Sequence, residues 1–139
     1  FIAAYVYPEL LSKKEWITCF QFVLDDLWND WGGLASVDKN SKFYEPISTY
    51  KVPLSYHNGD SWYYINNMAA LVMKKLGAKQ FNNYIRKILA ASTHEILWSG
   101  AVGHHAEVSS SIFQESAGCL MQAWSAAMYI ELINELFQD

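Results

Sequence analysis

The chain has 139 residues, one domain's worth, and 10 Lys+Arg against 14 Asp+Glu give a formal net charge of -4. That mild acidity argues against a nucleic-acid binder, and no apolar run approaches the ~18 residues of a membrane span. A charged content of 17% beside 16% aromatic residues excludes disorder. Cys19 and Cys119 stand far apart and outside any CxxC, so neither a disulfide framework nor a zinc knuckle is indicated.

The opening, FIAAYVYPELLSKKE, lacks the basic stretch that begins a secretory signal. It starts at Phe1 without Met, and the chain carries six Trp, nine Tyr and seven Phe. The expectation is a single-domain fragment, residues 1–139, of a longer protein. Some of its rings should then face a ligand or a missing partner surface, with a homo-oligomer as another way to cover them. Many of the rings simply pack the core.

Ser12-Lys13-Lys14-Glu15 fits a capping box, and Trp16, Phe20, Val23, Leu24, Leu27 and Trp31 follow on one helical stripe. This predicts a helix over 13–29, ended by Gly32-Gly33. Residues 32–60, with Asn40, Pro46 and Pro53, show no sustained period and predict a long connection with a short extended piece at 34–37. A loop of that length in a compact domain is more often functional than idle. A second helix starts after Gly59-Asp60, carries Trp62, Ile65, Ala69, Val72, Met73 and Leu76 on one face, and ends at Gly77. A third runs over 79–97, with Phe81, Ile85, Ile88 and Leu89 in period. A Gly-punctuated stretch rich in His and Ser covers 99–118, and a last helix covers 119–137. No 34-residue repeat relates the helices. The predicted class is all-α with long loops.

Two loops carry the candidate chemistry. In Tyr56-His57-Asn58-Gly59-Asp60-Ser61-Trp62, Gly59 tolerates φ > 0 in a sharp turn, and turn and capping chemistry alone explains Asn58, Gly59 and Asp60. Tyr56 and His57 beside them suit the hydroxyl groups of a polar ligand such as a sugar, and Trp62 presents a ring to the same side. In Gly103-His104-His105-Ala106-Glu107, Glu107 reads either as a solvated loop charge or as a catalytic carboxylate held by neighbouring donors. His104, His105 and Glu107 resemble a fragment of a metal site, but no second cluster accompanies them and His94-Glu95 has no HExxH continuation, so no metal is expected. Ser109-Ser110-Ser111 reads as loop composition, and nucleophile-elbow and phosphate-loop motifs are absent.

Taken together, Gly33-Leu34, Tyr56-His57-Asn58-Gly59-x-x-Trp62, Gly103-x-x-x-Glu107 and Cys119-x-x-Gln122-Ala123-Trp124-Ser125 resemble the C-terminal part of the amylo-α-1,6-glucosidase domain of glycogen debranching enzymes. The resemblance covers most of the chain and is strongest from Tyr56 onward. It implies the C-terminal portion of an (α/α)6 barrel, with loops at one end forming the active site. It implies hydrolysis of α-1,6-linked glucose stubs on glycogen or branched dextrin, with inversion, without a cofactor, in a cytoplasmic enzyme. Glu107 takes the position of the general base, and Tyr56, His57, Asn58 and Trp62 line the glucose pocket. Gln122 to Ser125 hold the last inner helix against it, with Trp124 packing. The family's general acid is an Asp N-terminal to this region, and no residue here matches its motif, so the remainder of the barrel is an expected partner. An inverting pair stands about 6.5–9.5 Å apart with water between. The chain departs from the family pattern at Gly103-His104-His105-Ala106, at Val108-Ser109-Ser110-Ser111 and at Val52-Pro53-Leu54-Ser55, which bears on substrate preference. A glucoamylase-like α-1,4 exo-glucosidase and a non-catalytic carbohydrate-binding helical module are the alternatives.

Overall fold

A computed structural model describes residues 1–47 and 54–137; Val52 and Pro53 of the long connection lie outside them. Helix α1 (Ile2–Val6) and a 3₁₀ turn at Pro8–Leu10 precede α2 (Lys13–Leu27). Strand β1 (Trp28–Asn29) pairs antiparallel with β2 (Gly33–Leu34), and β3 (Ser61–Trp62) leads directly into α3 (Tyr63–Leu76). A 3₁₀ turn at Lys79–Phe81 opens α4 (Asn82–Trp98); β4 (Val108–Ser109) and α5 (Ala123–Phe137) follow. The architecture is all-α, as expected for a fragment of a helical barrel domain, with only two-residue strands among the described residues.

The Ser12 box forms as predicted: Ser12 Oγ accepts from Glu15 N–H, and the Glu15 carboxylate accepts from Ser12 N–H at 2.8 Å. The hydrogen bonds to Ser12 hold the Glu15 carboxyl below its ordinary pKa. Helix α2 buries Trp16, Phe20 and Leu24 but stops at Leu27, before the glycines. Trp28 and Asn29 turn extended because their backbone pairs with Leu34 and Gly33. The predicted stop at Gly32-Gly33 is therefore the far side of a short hairpin.

Helix α3 is the hub. It packs against α4 and α5, and residues 66–73 are all buried. A helix apolar around most of its circumference belongs in a core rather than on a surface. Phe20, Phe81, Ile88 and Leu132 close around it, each fully buried apolar side chain contributing about 1.5–3 kcal/mol. Gly77 ends it in the left-handed conformation, at φ 61, with Lys74 and Lys75 in the last turn.

The last helix starts later than its periodicity suggests. Cys119 uses both its backbone groups on Glu107, and Gln122 N–H donates to His105 O at 2.8 Å, so α5 begins only at Ala123. Gln122 Oε1 accepts from Ser125 N–H at 2.9 Å and acts as the cap. Trp124, expected to pack, is 67% exposed, and Phe22 (73%) and Trp98 (68%) are likewise uncovered.

Candidate active site

The two candidate loops, far apart in sequence, meet through the ladder of β3 and β4. Ser61 pairs with Ser109 and Trp62 with Val108, and Tyr63 N–H donates to Glu107 O at 3.1 Å. The first turn of α3 and the residue before β4 are thus fixed side by side. On the other side Val108 bridges to Ala117, and Glu107 N–H donates to Cys119 O at 2.8 Å. Glu107 sits in the middle of a three-stranded backbone frame.

Its carboxylate is partly exposed, and each oxygen accepts one hydrogen bond: Oε1 from the Tyr56 hydroxyl at 2.7 Å, Oε2 from Cys119 N–H at 3.0 Å. This is the arrangement of an ionised carboxylate, an acceptor at both oxygens. Burial first, then the bond to Glu107, push the Tyr56 pKa up to about 12, so the hydroxyl remains a donor across the physiological range. Glu107 is thus held by two donors, the Tyr56 hydroxyl and Cys119 N–H.

Gly118 lets Cys119 approach. It has φ +68, and a Cβ there would lie 2.5 Å from Glu107 Oε2. Gly59 acts by close approach and not by a positive φ as expected: a Cβ on it would lie 2.0 Å from the carbonyl oxygen of Glu45, whose N–H bonds Asn58 O.

The other sequence-selected residues cluster around Tyr56. Trp62 Nε1 donates to Tyr56 O at 3.0 Å; the two rings are 4.7 Å apart. His57 stacks on Trp62 at 5.4 Å and 12° and meets Tyr56 edge-on. The row continues through Tyr64 to the exposed Trp124, each step an edge contact near 6 Å (6.0 and 5.9 Å). A groove of about 330 Å³ runs beside it, walled by Leu27, Leu34, His57, Trp62 and Tyr64. Asn58 is exposed at the tip of the turn, and its Nδ2 donates to Leu54 O at 3.0 Å, the turn chemistry expected of it.

The three residues of the weighed metal fragment are separated: His104 is exposed, His105 lies buried beneath the loop, and Glu107 stands above it. Among the described residues no group of three or more His, Cys, Asp or Glu has metal-site geometry.

Sequence reasoning missed the supports. The serine run is buried: Ser110 Oγ donates to Pro46 O at 2.8 Å, Ser111 Oγ to Gly59 O, and Ser109 Oγ accepts from Glu115 N–H at 2.9 Å. It clamps the two loops together. Glu95, in the last turn of α4, is fully buried. Its Oε1 accepts from Ser116 Oγ at 3.0 Å and its Oε2 from Ala106 N–H at 3.1 Å. His105 Nδ1 lies 2.8 Å from the same Oε2, a close contact out of line for a hydrogen bond.

A family profile for amylo-alpha-1,6-glucosidase matches residues 1–131. The chain belongs to the amylo-alpha-1,6-glucosidase family. It is a glycoside-hydrolase-related domain of the glycogen-debranching kind, as the resemblance in its motifs implied. Comparison with curated proteins gives no significant match. No helix among the described residues is long and apolar enough to cross a membrane.

Proposed function

We propose that this chain carries the general-base half of an inverting α-1,6-glucosidase site, acting on single glucose stubs of glycogen or branched dextrin in a cytoplasmic enzyme. The observation that carries this reading is the Glu107 carboxylate, fixed at both oxygens yet partly exposed, next to the Tyr56–His57–Trp62 rings. A general base must be ionised and held within reach of the water it activates. Two donors from opposite sides do the holding. Trp62 and His57 offer apolar ring surface to the C–H faces of a glucosyl unit, and Tyr56 and Asn58 polar atoms to its hydroxyls. The acid that protonates the leaving oxygen comes from the rest of the barrel, whose helices also cover Phe22, Trp98 and Trp124. No cofactor takes part.

The test is glucose release from a dextrin bearing single α-1,6 stubs by the natural protein that contains this segment. Glu107→Gln should lower the rate by about 10²–10⁴-fold. Equal rates would remove Glu107 from the role. A preference for linear maltodextrin would turn the reading to an α-1,4 exo-glucosidase, and sugar binding without release by either protein would turn it to a binding module.

A further inference from the structure

We propose that the buried Glu95 is a positioning residue for Glu107, setting the gap between the two chain segments that hold the catalytic carboxylate; the inference rests on the reading of Glu107 as the base. Glu107 is framed by segment 105–107, which carries it, and segment 116–119, which supplies Cys119 N–H. Glu95 touches both, since Oε2 accepts from Ala106 N–H in the first and Oε1 from Ser116 Oγ in the second. One carboxylate thus bridges the two sides of the frame from beneath.

The bridge is anchored on three helices. Asn67 Nδ2 of α3 lies 3.2 Å from His105 Nε2, and the other ring nitrogen, Nδ1, faces Glu95. Ser92 of α4 donates to Asn67 Oδ1 at 2.7 Å. Gln122, capping α5, donates its N–H to His105 O. Asn67, Ser92, Glu95, His105 and Ser125 are each at most 1% exposed. Stability alone is a poor account of this choice. Burying a carboxylate is costly, an acidic group is disfavoured at a helix C-terminus, and apolar residues of similar size often fill such a site at least as well. A carboxylate does what no apolar residue does here: it fixes two backbone segments against each other through directed bonds.

Glutamine at position 95 keeps the shape but has only one acceptor oxygen; with that oxygen on Ala106 N–H, its amide nitrogen can only donate to the Ser116 hydroxyl, so both charge-assisted bonds become neutral ones. In the natural protein, Glu95→Gln should lower kcat for stub-dextrin hydrolysis about tenfold, within the range that small misplacements produce. KM should stay within about twofold, the signature of an interaction felt only in the transition state. In a Glu107→Gln background the same change should have no further effect, because Glu95 acts through Glu107. Losses that add in the double variant, or that appear in KM with kcat unchanged, would overturn the inference. Ser116→Ala, which retains the carboxylate, guards against a variant that fails to fold; it should show a smaller kcat loss, also absent behind Glu107→Gln. Amide hydrogen exchange gives a readout independent of activity. In Glu95→Gln, the Ala106, Glu107 and Cys119 amides should exchange faster while those of residues 69–73 do not change. Unchanged exchange at the three loop amides would sink the proposal. If the wild-type protein releases no glucose, the debranching reading falls, and the exchange data still decide whether Glu95 holds the frame.

Discussion

Glu95 and Glu107 stand on two sides of one loop, and their surroundings differ instructively. Both accept hydrogen bonds at each oxygen, and both touch the backbone of the 105–119 loop. Glu95 is fully buried, its two oxygens turned to Ala106 N–H and the Ser116 hydroxyl with His105 Nδ1 beside one of them. Glu107 keeps one side open, facing rings that meet it through a single hydroxyl. A carboxylate closed on all sides can organise a structure but cannot reach a substrate. One fixed from behind and open in front can do chemistry.

If the comparison is right, truncating the two should affect different observables. Glu95→Ala orphans the buried Ala106 N–H, which costs about 1–3 kcal/mol, and frees the half-buried Ser116 hydroxyl, so thermal melts should show a loss of at least about 1–3 kcal/mol. Glu107→Ala should cost less, since of the two donors it releases Cys119 N–H is exposed and the Tyr56 hydroxyl only half-buried. Equal losses would mean that the open carboxylate is as structural as the closed one.

Gly118→Ala attacks the open site from its rear wall. A Cβ at φ +68 and 2.5 Å from Oε2 forces the carboxylate or Cys119 to move. A displacement approaching 1 Å should lower kcat about 10²-fold. Gly103→Ala is the control: it has a comparable positive φ, but a Cβ there meets nothing within 4 Å, so only a stability change is expected.

Much of this arrangement was legible in the sequence. The Ser12 box, the stripe of α2, the Gly77 stop and the all-α class followed from periodicity and capping, which are local. The pairing of the Tyr56 turn with Glu107 was not local; it runs through a two-residue ladder too short to leave an alternation pattern. Helix α1, five residues long, left no period either. Glu95 did leave a signal. Ile85, Ile88, Ser92 and Glu95 lie on one helical face, and a charged residue on an apolar stripe marks a buried polar network. Asn66 and Asn67 amid the apolar run of α3 carry the same message. The sites these groups bond lie mostly more than ten residues away, and no pattern in the chain names them.

Tyr56→Phe sharpens the comparison further by removing the side-chain donor that Glu107 has among the described residues. The freed carboxylate loses its placement, so kcat should fall about tenfold, and stability by no more than the ~1.5–3 kcal/mol of a hydrogen bond to a charged group. Spectrophotometric titration gives a second check. The Tyr56 phenol should ionise near pH 12 in the wild type. In Glu107→Gln it should ionise lower, because the carboxylate no longer opposes the phenolate, though burial remains the larger cause. No movement of that titration would mean that the bond to Glu107 contributes nothing.

Glu115 provides the smallest test, as a third carboxyl in a third environment. Its N–H bonds Ser109 Oγ, but burial first and the like charge of Asp60 second raise its pKa above the ordinary 4.5. The folded chain therefore binds this proton more tightly than the unfolded chain. Stability present at acid pH is lost as the pH rises from the unfolded value through the folded one. Glu115→Gln removes the ionisation, so it should raise the melting temperature slightly at pH 7. The effect stays small because the side chain is partly solvated. The gain should vanish near pH 4, where both side chains are neutral. Paired melts of the two proteins at both pH values measure this difference directly. The same gain at both would assign it to packing and not to charge. The contrast with Glu95 and Glu107 would then rest on donors alone: two carboxylates satisfied by hydrogen bonds, and a third left to its desolvation and its neighbour's charge.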